Sequence, residues 1–261
     1  MAEPQASGER PPRGTGGRRT AALIALVLGL AGLAISVTGL ATQLLPRQFS
    51  AVQKQQITNW EIAGRWQQLT AGQIFPASVS YQLSAQVLED TTPLNLAARR
   101  IGIAPQAGCG PDVTTATAAA MLRRDGCRAV LRATYVDATL SYVVTVGVAV
   151  LPSDAAAARA YQSLSQPRLT AARDGVLAVR YRGTAAAMYD YSRQFSASRD
   201  DGPYVIMYSA GYADSRPRVP VTDDRYSFSE MTSMAEGIAQ SVADALTAAP
   251  ANPHCPGTPG C

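Results

Sequence analysis

One histidine and one lysine are all that this chain of 261 residues contains. The histidine, His254, stands in a proline-rich tail, and the lysine, Lys54, stands close to the longest apolar run. A serine or cysteine nucleophile needs a neighbouring base, most often an imidazole, and covalent amine catalysis needs a lysine in a shielded pocket. Both kinds of chemistry lack partners here. A phosphate-cradling glycine loop is missing too, because Gly14, Gly16 and Gly17 lie in the N-terminal tail with no strand before them. The net charge of +4 is spread thinly: residues 1–20 carry four Arg against two Glu, and the remaining 19 basic residues face 17 acidic ones. Nucleic-acid binders concentrate basic charge on one face, so that class is excluded. His254, Cys255 and Cys261 lack the paired Cys-x-x-Cys spacing of structural zinc sites, and neither a metal nor a cofactor is expected.

What the sequence does have is one long uncharged run, Ala21 to Leu45, between Arg18-Arg19 and Pro46-Arg47. As a helix it measures roughly 37 Å at about 1.5 Å per residue, enough to cross a hydrocarbon core of about 30 Å with some tilt. A secretory signal has an apolar core of only about 7–15 residues, so the run reads as a retained anchor, although Gly39-Leu40-Ala41 has the small residues of a cleavage site. Arg18-Arg19-Thr20 echoes a twin-arginine signal without its supporting residues. Arg10, Arg13, Arg18 and Arg19 precede the run, whereas only Arg47, Lys54 and Arg65 closely follow it, which places the N-terminus in the cytoplasm. No cysteine adjoins the run, which excludes lipid attachment there. Ala25 with Gly29 and Gly32 with Ser36 are small-xxx-small pairs, common in any Gly/Ala-rich span.

The rest divides as follows. Residues 1–20, rich in Pro, Gly and Arg, cannot build a core and are expected to be a disordered cytoplasmic tail. Residues 21–45 are the transmembrane helix. Residues 46–72 are a juxtamembrane helix, on which Phe49, Val52, Ile57, Trp60, Ala63 and Trp66 recur at helical spacing and Gly72 marks the end. Residues 73–248 form an extracytoplasmic α+β domain of mainly antiparallel β-hairpins with packed helices. Residues 249–261, with four prolines, form a tail.

Within that domain Val79, Tyr81 and Leu83 alternate as a strand, and Leu96 to Ile103 forms a second. Pro111 to Arg124 carries helix signals, with Gly126 just beyond. The clearest signal is a hairpin over Arg128 to Leu151: it turns at Asp137-Ala138-Thr139, after which Tyr142, Val144, Val146, Val148 and Val150 alternate with smaller residues. Pro152-Ser153-Asp154 then caps a helix to about Ser165. Val176 to Arg182 alternates as a further strand, and Tyr191 to Ala197 pairs with Tyr204 to Tyr212 through the Asp201-Gly202 turn. Ser227 and Glu230 make a capping box ahead of Met231, Met234, Ile238, Val242 and Leu246 on one helical face.

Four cysteines outside the cytoplasm imply disulfides, and four allow three pairings. Cys109 with Cys127 would bracket the first helix of the domain, while Cys255 with Cys261 would only curl the tail. The acidic doublets Asp200-Asp201 and Asp223-Asp224 fall in predicted loops, where such pairs are ordinarily solvated turn residues rather than a calcium or acid/base site. Tyr204, Tyr208 and Tyr212 share one strand face and form a candidate binding surface, with Tyr189 and Tyr191 expected across the hairpin; the competing expectation is that they lie beneath the last helix.

Ile103-Ala104-Pro105-Gln106-Ala107-Gly108-Cys109, followed by Gly126-Cys127-Arg128-Ala129-Val130-Leu131-Arg132-Ala133-Thr134-Tyr135-Val136-Asp137-Ala138, resembles a segment of single-pass membrane-anchored proteins of GC-rich Gram-positive bacteria. The resemblance implies an envelope location and a disulfide, and it carries no activity. Three functions are therefore expected in descending order: a non-catalytic module binding a protein or cell-envelope component, a small-ligand or lipid sensor with a pocket between sheet and helix, and a carboxylate-dependent hydrolase.

Overall fold

The computed structural model describes Leu26 and residues 50–83, 93–165, 174–184, 188–220 and 225–248. The chain divides into two units, Met1–Ser50 with Cys255–Cys261, and Ala51–His254. Apart from Leu26, the expected cytoplasmic tail, the membrane helix at 21–45 and the proline-rich tail lie outside the described residues. Among the described residues no helix is long and apolar enough to cross a membrane.

Among its described residues the second unit is α+β, built on one sheet of six strands that are antiparallel throughout. The strands are β1 (Ser78–Leu83), β2 (Leu94–Ala107), β3 (Ala129–Asp137), β4 (Tyr142–Val150), β5 (Phe195–Asp201) and β6 (Tyr204–Tyr212), in the order β1-β2-β3-β4-β6-β5. The α-helices among the described residues are α1 (Ala51–Gln68), α2 (Ala71–Ile74), α3 (Ala116–Arg124), α4 (Asp154–Leu164) and α5 (Arg225–Thr247). Every residue of β4 and β6 is buried, so the centre of the sheet is covered on both faces. That explains why β4 carries valines on one face and small residues on the other, rather than apolar residues alternating with polar ones.

On the front face Val144, Val146, Val148 and Val150 of β4 and Tyr204, Ile206 and Tyr208 of β6 meet Met231, Met234, Ile238, Val242 and Leu246 of α5. Each fully buried side chain of this kind is worth about 1.5–3 kcal/mol in transfer free energy. Ile62, Trp66 and Leu69 close the same core from the α1 side. Trp66 thus packs on the domain, while Trp60 is 48% exposed. On the back face Leu122 of α3 and Ala156, Ala157 and Ala160 of α4 cover Val130, Ala149, Val205 and Met207.

Several expectations change. The helix expected over 46–72 is two helices, because Thr70 and Gln73 form a capping box that starts α2 anew and leaves Gly72 inside it. The helix expected from Pro111 begins at Ala116, where the Thr115 hydroxyl accepts from the Ala118 amide at 3.4 Å. The strand expected from Tyr191 begins at Phe195, because Asp190–Ser192 is a 3-10 turn tied by the Ser192 hydroxyl to Tyr189. Since α5 already runs from Arg225, Ser227 lies within the helix.

The largest change concerns Val176 to Arg182, which joins the sheet nowhere: Val176 makes only an isolated bridge with Thr114. It runs as a strap across the back face and takes its hydrogen bonds from inward-pointing hydroxyls. Ser209 Oγ donates to Val176 O at 2.7 Å, Thr134 Oγ1 donates to Val179 O at 3.0 Å, and the Val179 amide donates to Thr145 Oγ1 at 3.2 Å. Asp190 Oδ1 accepts from the Ala178 amide at 2.8 Å, and buried Arg193 donates to Val176 O at 3.2 Å. Buried backbone groups must find partners, and these side chains stand in for a neighbouring strand. Gly147 leaves the room: a Cβ there would lie 2.7 Å from Val176 Cγ2.

Candidate functional site

Cys109 and Cys127 form the expected disulfide, with Cα atoms 6.2 Å apart, joining the segment before α3 to the start of β3. Cys255 and Cys261, like His254, Asp223 and Asp224, lie outside the described residues. Lys54 is exposed on α1.

The candidate tyrosine surface is occupied from within the chain. Tyr204 is fully buried, and Tyr208 and Tyr212 are 6% and 5% exposed in the core beneath α5. Tyr204 donates its hydroxyl to Ile62 O of α1 at 2.5 Å. Burial pushes its hydroxyl up to about 12, with hydrogen bonding to the Trp66 backbone and the charge of Arg65 working the other way. Burial also pushes Tyr208 up to about 12, and the charge of Glu236 adds to it. Tyr189 and Tyr191 are not across the hairpin from these residues. They stack on one another with ring centroids 5.2 Å apart, and Arg180 lies 3.8 Å over the Tyr189 ring.

Among the described residues the acidic side chains stand in separate settings. Asp200 and Asp201 are successive residues of β5, so their side chains leave on opposite faces, and Asp201 is paired with Arg199 at 3.3 Å. Buried Asp137 holds the β3–β4 turn, accepting from the amides of Ser141 and Tyr142 at 2.7 and 2.6 Å and from Thr139 at 3.0 Å. Glu230 is raised above the usual carboxylate range by burial; a hydrogen bond from Tyr142 opposes the shift and the charge of Asp137 adds to it. Among the described residues no group of three or more His, Cys, Asp or Glu side chains converges as a metal site.

Among the described residues, a groove of about 910 Å3 lies between β1 and α5. One wall is β1 from Ser78 to Gln82; the other is the outer stripe of α5, Ser233, Glu236, Gly237, Gln240, Ser241 and Asp244. These positions recur every three or four residues, so they form one helical face, opposite the stripe that packs on β4 and β6. Gly237 permits the two walls to meet, since a Cβ there would stand 2.7 Å from Tyr81 Cβ. Arg199 of β5 reaches across and donates to Gln240 Oε1 at 2.5 Å, while Gln240 donates to Asp244 at 2.7 Å. Gln82 and Asn95 join at the rim, 3.1 Å apart.

A second, smaller pocket of about 390 Å3 lies where α1 and α2 meet β2 and β3, lined mainly by Trp66, Leu69, Ile74, Phe75, Ile103 and Leu131. Neither concavity was legible in the sequence, because each joins elements far apart in the chain. The signal that was present is the polar stripe of α5, which repeats small residues at Ser233, Gly237 and Ser241.

No protein family, no curated protein and no solved structure matches this chain. The groove and its chemistry therefore carry the functional argument.

Proposed function

We propose that the chain is a single-pass membrane protein, N-terminus in the cytoplasm, whose disulfide-bridged extracytoplasmic domain is a non-catalytic module that binds an envelope protein through the groove between β1 and α5. The carrying observation is the groove itself: about 910 Å3 of open, mixed-polarity concavity beside an edge strand. The anchor rests on the length and flanks of the Ala21–Leu45 run, and the oxidising compartment on the Cys109–Cys127 pair. The two carboxylates of the groove, Glu236 and Asp244, are eight helical residues apart, or about 12 Å along the axis, beyond the roughly 5–9.5 Å of paired hydrolytic carboxylates. That spacing favours binding over hydrolysis.

A photo-crosslinking residue at Gln240, in membranes of the native cell, should give one discrete polypeptide adduct that the same residue at exposed Gln162 on α4 does not. No adduct, or the same adducts from both positions, would contradict the reading. Release of the chain by alkaline carbonate would contradict the anchor. A second reading, a small apolar or lipid ligand, is favoured by the apolar lining of the 390 Å3 pocket, which is within the size range of ligand cavities. Co-purified lipid lost on Leu131→Gln substitution would support it.

A further inference from the structure

Resting on the groove reading above, we infer that the occupant is an extended segment of a partner that adds as a strand to the edge of β1, which pairs with no strand but β2 among the described residues, and carries two basic residues four positions apart.

The two edges of the sheet are treated differently by the sequence. At one end β5 carries Arg199, Asp200 and Asp201, the charged residues by which proteins keep an edge from pairing. At the other end β1 reads Ser-Val-Ser-Tyr-Gln-Leu, with no charge and no proline, and its register with β2 runs without a bulge from Ser78 opposite Arg99 to Leu83 opposite Leu94. Every second residue of such a strand turns its N–H and C=O away from the sheet, so β1 offers a regular ladder to an incoming chain. That edge faces a groove rather than flat solvent.

The charge of the groove is uncompensated. Its one cation, Arg199, is already paired with Asp201 and bonded to Gln240. Glu236 and Asp244 are both exposed, and among the described residues neither takes part in an ion pair. Their separation of about 12 Å along the helix matches four residues of an extended chain, about 13 Å at roughly 3.3 Å each. In a strand, residues four apart share a face, so both would point at α5 when the backbone pairs with β1. The walls match in length as well: Ser78 to Gln82 and Ser233 to Asp244 each extend roughly 13–17 Å by the same rises.

The test uses the full chain in lipid nanodiscs and an end-capped nonapeptide of Thr and Val with Lys at its third and seventh positions, followed by titration calorimetry. Binding is expected, weakened about three- to thirtyfold by Glu236→Gln with Asp244→Asn, the effect of losing two exposed ion pairs. Replacing both lysines by glutamate should abolish it. Of two peptides N-methylated on alternate residues, one for each edge, one should lose binding and the other should retain it. Equal binding of both methylated peptides would overturn strand addition. An unchanged affinity in the double variant would overturn the charge match, and no binding of the parent peptide would overturn the inference entirely. If the peptide fails while Gln240 still crosslinks to one polypeptide, only this inference falls; if both fail, the groove reading falls with it.

Discussion

Replacing Gly237 by alanine tests the wall-to-wall contact on which the groove depends. Gly237 lies in the interior of α5, where alanine is ordinarily preferred by about 1 kcal/mol. Its added Cβ, however, would meet Tyr81 Cβ at 2.7 Å and Tyr81 Cα at 3.5 Å, with Ser80 O at 3.8 Å. These are backbone-proximal atoms of a strand paired along its length with β2, so they cannot swing aside. Overpacking of this kind costs about 1–3 kcal/mol, which cancels the propensity gain and leaves a net loss of up to about 2 kcal/mol. Gly64 of α1 provides the contrast: a Cβ there meets only the tip of the Gln68 side chain, at 3.4 Å. Gly64→Ala should therefore stabilise by about 0.5–1 kcal/mol. Urea denaturation of the full chain in detergent, followed by circular dichroism, should move the two midpoints in opposite directions. A Gly237→Ala midpoint raised as far as that of Gly64→Ala would refute the close approach of α5 to β1.

Loss of the Cys109–Cys127 bridge, with its sequence separation of 18, should lower stability by about 3 kcal/mol on the chain-entropy account, read as the denaturation midpoint of the double serine variant. Thr145→Val, although nearly isosteric, leaves the Val179 amide without its acceptor and should cost about 1–3 kcal/mol, whereas an apolar gain in midpoint would refute the account of the strap. Glu230 is a carboxylate whose folded value is raised by burial, so the native state holds its proton more tightly and stability falls as pH rises through that value. Glu230→Gln should thus stabilise at neutral pH, and the gain should vanish once pH falls below the ordinary glutamate range. The buried hydroxyls of Tyr81, Tyr135, Tyr204 and Tyr208 are all raised chiefly by burial, so their native-state ionisation lags that of the unfolded chain and stability declines above about pH 10. Tyrosinate absorbance from these residues should appear together with loss of helix rather than before it.

Local patterns in the sequence located most of the elements. The alternation in Tyr142 to Val150 and in Tyr204 to Tyr212 marks strands that run between those same residues, and the apolar stripe of α5 faces the sheet as its spacing requires. The cysteine pair is legible because its short loop encloses a single helix. Alternation also misled: Val176 to Arg182 has the pattern of a strand, yet only Val176 of these residues is buried and the hydrogen bonds of the segment reach Thr134, Thr145 and Ser209. Those three fully buried hydroxyls on otherwise apolar strands were the available sign that something polar crosses the back face. The tyrosines of β6 could have faced a ligand or a helix, and only the long-range placement of α5 and α1 decides for the helix. The order of strands is equally non-local, so that β1 and β5 are the two edges of the described sheet could not be read from either strand alone.

Hydrogen exchange along β1 in the full chain tests the central claim most directly, because it asks whether the edge is free. Alternate amides between Ser78 and Leu83 should exchange close to the rate of unstructured peptide while the neighbouring amides, like those of β4, stay protected. Protection of every β1 amide to the level of β4 would contradict the account, because the edge would then already be paired.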